Sequence, residues 1–592
     1  AEGTVKGYKH DPNNESVVGR LVFGSFTMMF TGDAEKKEEE DILKTAADRV
    51  QSKVLKVGHH GSKTSSSAEL KTSEIVFKKE NGQGSVKTDT PTPPPVPQPV
   101  DTEDQIAELG AAGAAQTEKW KQQNLRDDAA NYTFAKGAAL HAKASTSPYA
   151  IDGTVGNILF DRTGGSIDMK GQKLTLTSTA DSDTKRAGGI HLVGGSLTVK
   201  NAGSVDISIS GSKNAASAIY AEGSGGKAAN LVIKNGDAPE HIVKIRNTAA
   251  GDKAAAIMAK KKGADAHVTI EGLVDIEQEG ADLLHAEGGE IRIGGGSLIA
   301  RGPNAKAVQI SKGGKVYINA EDDGDGVKAV SDTRDVKVEG NIVVGNVFNG
   351  GTFGAALATK DSYIRGLIGT AGYNATTRLF LGNGARWINE SVGSGSDRLD
   401  ESHLTHLRAN GGAIFQKSNK NITIDNFSGS MKLYYSHVNA GTETEDYGTD
   451  TRHLDSSKFF GETHIKHAAP NSEITMVTDS NGITMSDETQ VRKALNALAS
   501  KLYYEGAKDG EKNLKGKASI AEGLTSSSRT LRTADMDYWE SNGRAYVKST
   551  ETNPLTEETV HKQIAESNFD ANETKAYWKA KGVYDGKGNY TF

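Results

Sequence analysis

From about residue 151 to 430 the chain is a succession of short β runs cut apart by glycine, and this pattern restricts its fold more than any other feature. Leu197-Thr198-Val199, Leu231-Val232-Ile233, Val268-Thr269-Ile270, Ile291-Arg292-Ile293, Val316-Tyr317-Ile318 and Val336-Lys337-Val338 alternate inward apolar with outward polar or mixed residues. A second class of run precedes several of these: Ile190-His191-Leu192, Ala218-Ile219-Tyr220, Ala256-Ile257-Met258, Leu283-Leu284-His285 and Ala307-Val308-Gln309. With Ile190, Ile219, Ile257, Leu284, Val308 and Val330 as anchors, the intervals are 29, 38, 27, 24 and 22 residues. A coil with variable loops produces such imperfect periods. Strand edges left open by one coil are satisfied only by the next, and stacking joins thin inner rows into one core. Glycine stands where the chain bends sharply or takes positive φ. The expected fold is therefore all-β dominated, a right-handed parallel β-helix (solenoid), with a short α/β N-terminal fragment and local helical junctions.

Composition agrees with a thin core. The 592 residues exceed one ordinary globular core, aromatics are 6 % and mean hydropathy is −0.52. The 68 glycines do not recur every third residue, which excludes collagen. A net charge of −6 without a long basic stripe argues against nucleic acid as a partner. The absence of cysteine removes disulfides and thiolate metal sites, and is compatible with crossing a periplasm unfolded. No run of 18 apolar residues is present to span a membrane as a helix. The Ala1-Glu2 start suits cleavage after a small-residue signal, so a mature secreted protein is expected.

Five segments are distinguished: 1–80, 81–105, 106–145, 146–475 and 476–592. In the first, Val17 to Thr31 reads as two strands about Gly24-Ser25, a Lys/Glu/Leu/Ala-rich helix runs to about Val50, and Val54 to Val57 is a buried strand. Asp33 and His60 fall just beyond strands, where a sheet protein aims metal ligands. Asp11 to Ser16, Thr31-Gly32-Asp33-Ala34-Glu35 and Lys56-Val57-Gly58-His59-His60-Gly61-Ser62 resemble the C-terminal part of metallo-β-lactamase-fold domains attached to DNA-uptake channel proteins. The resemblance implies metal roles for Asp33 and for His59 or His60. The His-x-His-x-Asp-His cluster that supplies most ligands in that family is absent, so these three read as vestigial and the segment as inactive.

Six prolines between Pro91 and Pro99 make 81–105 an extended spacer. Asp104 to Ala130 reads as a helical lead-in, and Trp120 to Phe134 reappears in spacing as Trp578 to Phe592, which suggests one structural unit used twice and a further module beyond the last residue. Near the other end, Ser486 or Asp487 caps a helix with Val491, Leu495, Leu498 and Leu502 on one side and Lys493, Asn496 and Lys501 on the wetter surface. Leu514 to Gly523 returns to strand and turn. Trp539, Tyr546, Trp578 and Tyr584 read as core or junction packing, with sugar stacking as the alternative.

Residues 350 to 435 carry Gly354-Ala355-Ala356-Leu357, Thr377-Arg378-Leu379-Phe380-Leu381-Gly382-Asn383-Gly384-Ala385-Arg386-Trp387, Ser402-His403-Leu404-Thr405-His406-Leu407 and Ile422 to Ser430 in that order. This stretch resembles the distal passenger region of pertactin-like autotransporters. The motif positions are Leu379, Leu381, Asn383, Gly384, Ala385, Trp387, Leu404, Leu407 and Gly429. The resemblance implies a β-helix at the bacterial surface or outside the cell, distal coils that assist export, and a C-terminal outer-membrane barrel that this sequence does not contain.

Catalytic motifs are few. No Gly-x-Ser-x-Gly elbow occurs, Ser66 and Ser210 lack a placed His-Asp relay, and Gly294-Gly295-Gly296 is a weak phosphate-cradle signal. Glu321-Asp322-Asp323-Gly324-Asp325-Gly326 lacks EF-hand spacing and reads as solvent-facing charge, with calcium as the alternative. No cofactor is expected. The expected role is a non-enzymatic adhesin-like passenger meeting a host or bacterial surface glycan or protein through loops near 180–187, 222–229, 247–254 and 320–335. A β-helix polysaccharide hydrolase or lyase is the alternative, and a surface spacer the weaker one.

Overall fold

The computed structural model describes most residues from 165 to 548, leaving aside 181–185, 212–216, 249–254, 304–305, 346–348, 372–373, 393–398, 436–459 and 525–527; before 165 it describes short strands and isolated positions. The chain divides into two compact units, Ala1–Pro93 and Pro94–Phe592. In the first, Gly19–Phe23 and Phe26–Phe30 pair antiparallel, and Val54–Lys56 lies parallel to the second strand. Asp33, His59 and His60, the helix read before Val50, and Trp578 to Phe592 lie outside the described residues.

The second unit is built from parallel ladders in which one strand lies in register on the next. In the first ladder Val199, Ile233, Ile270, Ile293, Ile318, Ala355, Leu379, Leu407 and Phe427 form one continuous inward row. In the second, Ile207, Ile245, Ile276, Leu298, Val338, Ile364, Trp387, Ile414, Leu433 and Met476 do the same. Every side chain of these rows is buried. Burying each large apolar side chain contributes roughly 1.5–3 kcal/mol, and no single coil could complete such a row alone. A third ladder, a nine-stranded sheet, stacks Ile190, Ile219, Ile257, Leu284 and Val308. Its next member is Ile342 and not Val330, which is 53 % exposed. The Val330 anchor was wrong because residues 320–329 form a hairpin outside the ladder, Ala320–Asp322 against Val327–Ala329.

The first two ladders are one sheet. Glu290–Arg301 pairs through its first half with Lys315–Ile318 and through its second with Val336–Glu339. Ser402–Gln416 likewise pairs with both Ala375–Leu381 and Arg386–Asn389. With Gly351–Leu357 and Tyr363–Arg365 between them, the hydrogen bonding closes into an eight-stranded parallel β-barrel, and further strands extend the sheet on both sides of it.

This closure corrects the expected right-handed parallel β-helix. The physical reason lies in the glycines, which were read as the places where strands end. Gly294, Gly295 and Gly296 sit inside Glu290–Arg301, and Gly411 and Gly412 inside Ser402–Gln416. They carry extended backbone around a corner unbroken, so one strand serves two ladders. At Gly296 φ is +112°, and a Cβ there would run into the carbonyl oxygen of Val274 on the neighbouring strand. Gly294-Gly295-Gly296 is thus a strand corner and no phosphate cradle. The adhesin-like passenger, polysaccharide hydrolase or lyase, and spacer readings were all tied to the β-helix and are withdrawn with it.

At the far end the helix Glu488–Ala499 is capped by Asp487, whose side chain accepts from the backbone of Thr489 and Gln490. Val491, Leu495 and Leu498 are buried as expected from their spacing. Three positions differ. Leu502 has left the helix for the strand Leu502–Tyr504. Asn496 and Lys501 are buried, because Asn496 Oδ1 accepts from Val547 N and Lys501 Nζ donates to Phe460 O at 3.2 Å. Leu514–Glu522 then joins the sheet parallel to Ser472–Asp479, and Arg529–Tyr538 and Ala545–Val547 extend it antiparallel. Among the described residues no helix is long and apolar enough to cross a membrane.

Core burial reaches one titratable group with a pH consequence. His191 is buried with Nε2 2.8 Å from Ser217 O, and desolvation pulls its pKa from 6.5 down to about 4. The folded pKa lies below the unfolded one, so the unfolded chain takes the proton first. Stability from this site is complete above pH 6.5 and is lost as pH falls towards about 4. The loss amounts to roughly 3 kcal/mol. His191→Gln should therefore show a flatter fall in denaturation midpoint between those pH values; parallel curves would refute the assignment.

Candidate functional site

The barrel-side coils place one outward group of side chains where a chemical relay becomes visible. Alternation turns Leu404 and Ile424 inward and leaves His403, Thr423 and Asp425 on the outer face. The parallel register sets His403 opposite Thr423, and Asp425 is then one diagonal step away. His403 Nε2 lies 2.9 Å from Asp425 Oδ2, and its Nδ1 lies 3.2 Å from Thr370 Oγ1. With Nε2–H donating to the carboxylate, Nδ1 is left to accept from the threonine hydroxyl. Lys466 Nζ sits 2.8 Å from the other oxygen, Asp425 Oδ1. Thr423 Oγ1 donates to Glu401 Oε2 at 2.6 Å beside them.

Electrostatics fix the charges of this group. Partial burial pushes Asp425 up, but hydrogen bonds from Lys466 and His403 outweigh it and hold the carboxyl below its ordinary value. Lys466 is raised by its hydrogen bond to Asp425. At neutral pH the pair is therefore an ionised carboxylate and an ammonium. Gly369 makes the arrangement feasible, since a Cβ there would crowd Leu399 Cδ2 and the Glu401 carbonyl, and the chain leading into His403 passes over it.

The line Thr370, His403, Asp425 has the order of an acyl-transfer relay, but one element of such a site is taken. The amide after the nucleophile position, Ala371 N, donates to Val344 O at 2.9 Å. It is committed to the third ladder and does not point at a developing oxyanion. Lys466 also neutralises the aspartate that would steady an imidazolium. Nearby, His464 stacks on Tyr503 with centroids 4.5 Å apart, and the Arg544 guanidinium lies 4.7 Å from the same ring. Tyr503 is buried, so this stack is packing and offers no open ring to a sugar.

The residues singled out by sequence play other parts. Leu379, Leu381, Ala385, Trp387, Leu404 and Leu407 are buried in the core, and Trp387 Nε1 donates to Gly366 O at 2.9 Å. Asn383 and Gly384 stand in the tight turn closed by Ala385 N donating to Gly382 O at 3.0 Å. Gly429 has φ +93° and passes the Ala409 carbonyl so closely that a Cβ would strike it. The six apolar residues thus serve the core, and the two glycines serve a tight turn and a close approach of neighbouring strands. Trp539 stacks on Tyr546 at 3.6 Å. Among the described residues no group of three or more His, Cys, Asp or Glu is placed to hold a metal ion. Asp322 and Asp323 of the acidic run are bound to Arg378 and Arg408. The relay itself was missed, because Thr370, His403 and Asp425 are joined only by register. The signal that could have found it is the placing of Ile422 to Ser430 one coil after Ser402 to Leu407, which brings His403 beside Asp425.

Comparisons with known proteins give little purchase. No protein-family profile matches the chain, and no solved structure matches it. The pertactin-like passenger identity, and with it the combined assignment that joined an uptake-protein fragment to a passenger, is corrected: neither the closed sheet nor any relative supports it. One curated protein is similar over a short stretch, Competence protein ComA from Neisseria gonorrhoeae, 44 % identical over 57 residues, which is 10 % of this chain and 8 % of that protein. The chain thus spans less than a tenth of the curated relative it matches, and no family is shown.

Proposed function

We propose that this chain is a non-catalytic binding protein that works outside the cytoplasm and recognises another protein through the outward side chains of its ladders. One observation carries this reading: the most catalysis-like group on the outer face, Thr370-His403-Asp425, has its oxyanion position closed by the Ala371 to Val344 hydrogen bond and its aspartate neutralised by Lys466. What the outward side of the second ladder does offer is charge held at fixed register. Arg246 meets Asp275 at 2.6 Å, Arg365 meets Glu390 at 3.1 Å, and Arg301 pairs with Glu277. Such rows are individually worth little to stability and suit recognition of a complementary polar surface. The net charge of −6 without a long basic stripe favours protein over nucleic acid, and the absence of cysteine is compatible with export across a periplasm in an unfolded state.

The test sets the relay against the reading directly. The purified chain and His403→Ala are incubated with a fluorophosphonate probe and a panel of chromogenic esters. No turnover or labelling that depends on His403 is expected; turnover lost in His403→Ala, with melting unchanged, would make the protein an enzyme and overturn the proposal. In intact producing cells the chain should be accessible to added protease, and full protection would refute its placement.

A further inference from the structure

The hairpin Ala320–Asp322 and Val327–Ala329 belongs to neither barrel nor ladder, pairing only with itself. A lone two-stranded hairpin is marginal in water, so its position depends on the surface beneath it. That surface is shaped to receive it. Along one outward row of the first ladder stand Tyr317, Gly354, Arg378 and His406; along the next stand Ala356, Phe380 and Arg408. Gly354 leaves the gap, since a Cβ there would lie 2.8 Å from Tyr317 Cδ1 and 3.0 Å from Val327 Cγ1. Tyr317, Ala320, Val327 and Ala356 form a small apolar cluster outside the main core, with Phe380 packed against it. At the tip Asp322 binds Arg378, and Asp323 Oδ2 lies 2.6 Å from Arg408 Nη1. The two ends of the hairpin are tied together at its base, where buried Asn319 holds Ser331 by two hydrogen bonds of 2.8 and 2.9 Å. The ladder strands below pair with one another in unbroken register and take no backbone pairing from the hairpin.

A surface with two arginines at one end and a tyrosine and a phenylalanine beside a gap is filled here by an Asp-Asp turn from the same chain. We propose that this seat is a recognition site for an acidic, turn-forming segment of a partner protein, and that the hairpin occupies it in cis until displaced. The inference rests on the reading of the chain as a binding protein and assigns that reading a site. Arginine presents a rigid fork of donors to carboxylates, which fits the seat to aspartate side chains more closely than lysine would. The cis occupant shows by its own contacts what the ligand needs: two adjacent carboxylates, a small residue after them to turn, and an apolar residue for the Gly354 gap.

The test uses the full chain and a labelled peptide of its own sequence Ala-Glu-Asp-Asp-Gly-Asp-Gly-Val, read by fluorescence anisotropy. In the parent the seat is filled, so apparent affinity is lowered by the small fraction of open seats. D322N/D323N weakens the cis contact and should bind the peptide about tenfold tighter or more than the parent. Adding R378Q/R408Q should remove that gain, and a peptide with Asn in place of its three Asp should not bind. D322N alone keeps the Asp323 to Arg408 pair, is expected to fall between, and provides the readout should the double variant not fold. No gain in a variant that melts like the parent overturns the proposal. Dimers of D322N/D323N formed by exchange of hairpins would also overturn it, because the occupant would then be a second copy. Either failure leaves the non-catalytic reading standing, since that depends on the His403 experiment.

Discussion

Gly296→Ala is expected to cost the protein about 3 kcal/mol or more, a loss out of proportion to one methyl group. Two effects act together. The residue holds φ at +112°, a conformation that costs an L side chain about 1–3 kcal/mol. The new Cβ would also run into the Val274 carbonyl, a ladder acceptor of the adjacent strand, and forcing that strand aside adds about 1–3 kcal/mol of overpacking. Gly313 separates the two effects. Its φ is +78° but nothing lies within 4 Å of a Cβ, so Gly313→Ala should lose only the conformational part, about 1–2 kcal/mol. Chemical denaturation of both variants measures the difference; equal losses would show that the close approach at the strand corner is not what the glycine serves.

Trp387→Ala should be comparably severe. The indole is fully buried in the second inward row between Ile364 and Ile414, and its Nε1 donates to Gly366 O at 2.9 Å. Removing a core tryptophan costs about 3–5 kcal/mol through lost transfer energy and the cavity left behind. Trp387→Phe keeps most of the packing but orphans the carbonyl, a loss of about 1–3 kcal/mol. Thermal melting should therefore rank the parent above Phe and Phe above Ala. A Trp387→Ala chain that melts with the parent would mean that the ring does not hold the rows together.

Local pattern was legible where one face alone decides the outcome. The anchors Ile190 to Val308 share a register row because alternation and burial leave a strand few other choices. Val491, Leu495 and Leu498 were legible for the same reason in a helix. What could not be read was connectivity between faces. A glycine that ends a strand and a glycine that bends one are the same letter, and only the partner strand distinguishes them. That ambiguity concealed the closure through Glu290–Arg301 and Ser402–Gln416. The relay was hidden by the same gap, since Thr370, His403 and Asp425 meet across 33 and 22 residues through stacking alone. Asn496 and Lys501 are buried against the helical pattern because helical spacing does not announce that a later strand, Ala545–Val547, will bind Asn496 or that the carbonyl of Phe460 will take the Lys501 ammonium.

A strand that serves two ladders is also a register lock. In an ordinary ladder a strand can slide by one residue if the exchanged faces tolerate it. Glu290–Arg301 has no such freedom. A slide that turned Arg292 towards the interior of the first ladder would at once turn Leu298 away from the interior of the second, and both partners would have to yield together. Misalignment is thereby penalised twice for a single error, so alignment need not rest on the thin apolar rows alone.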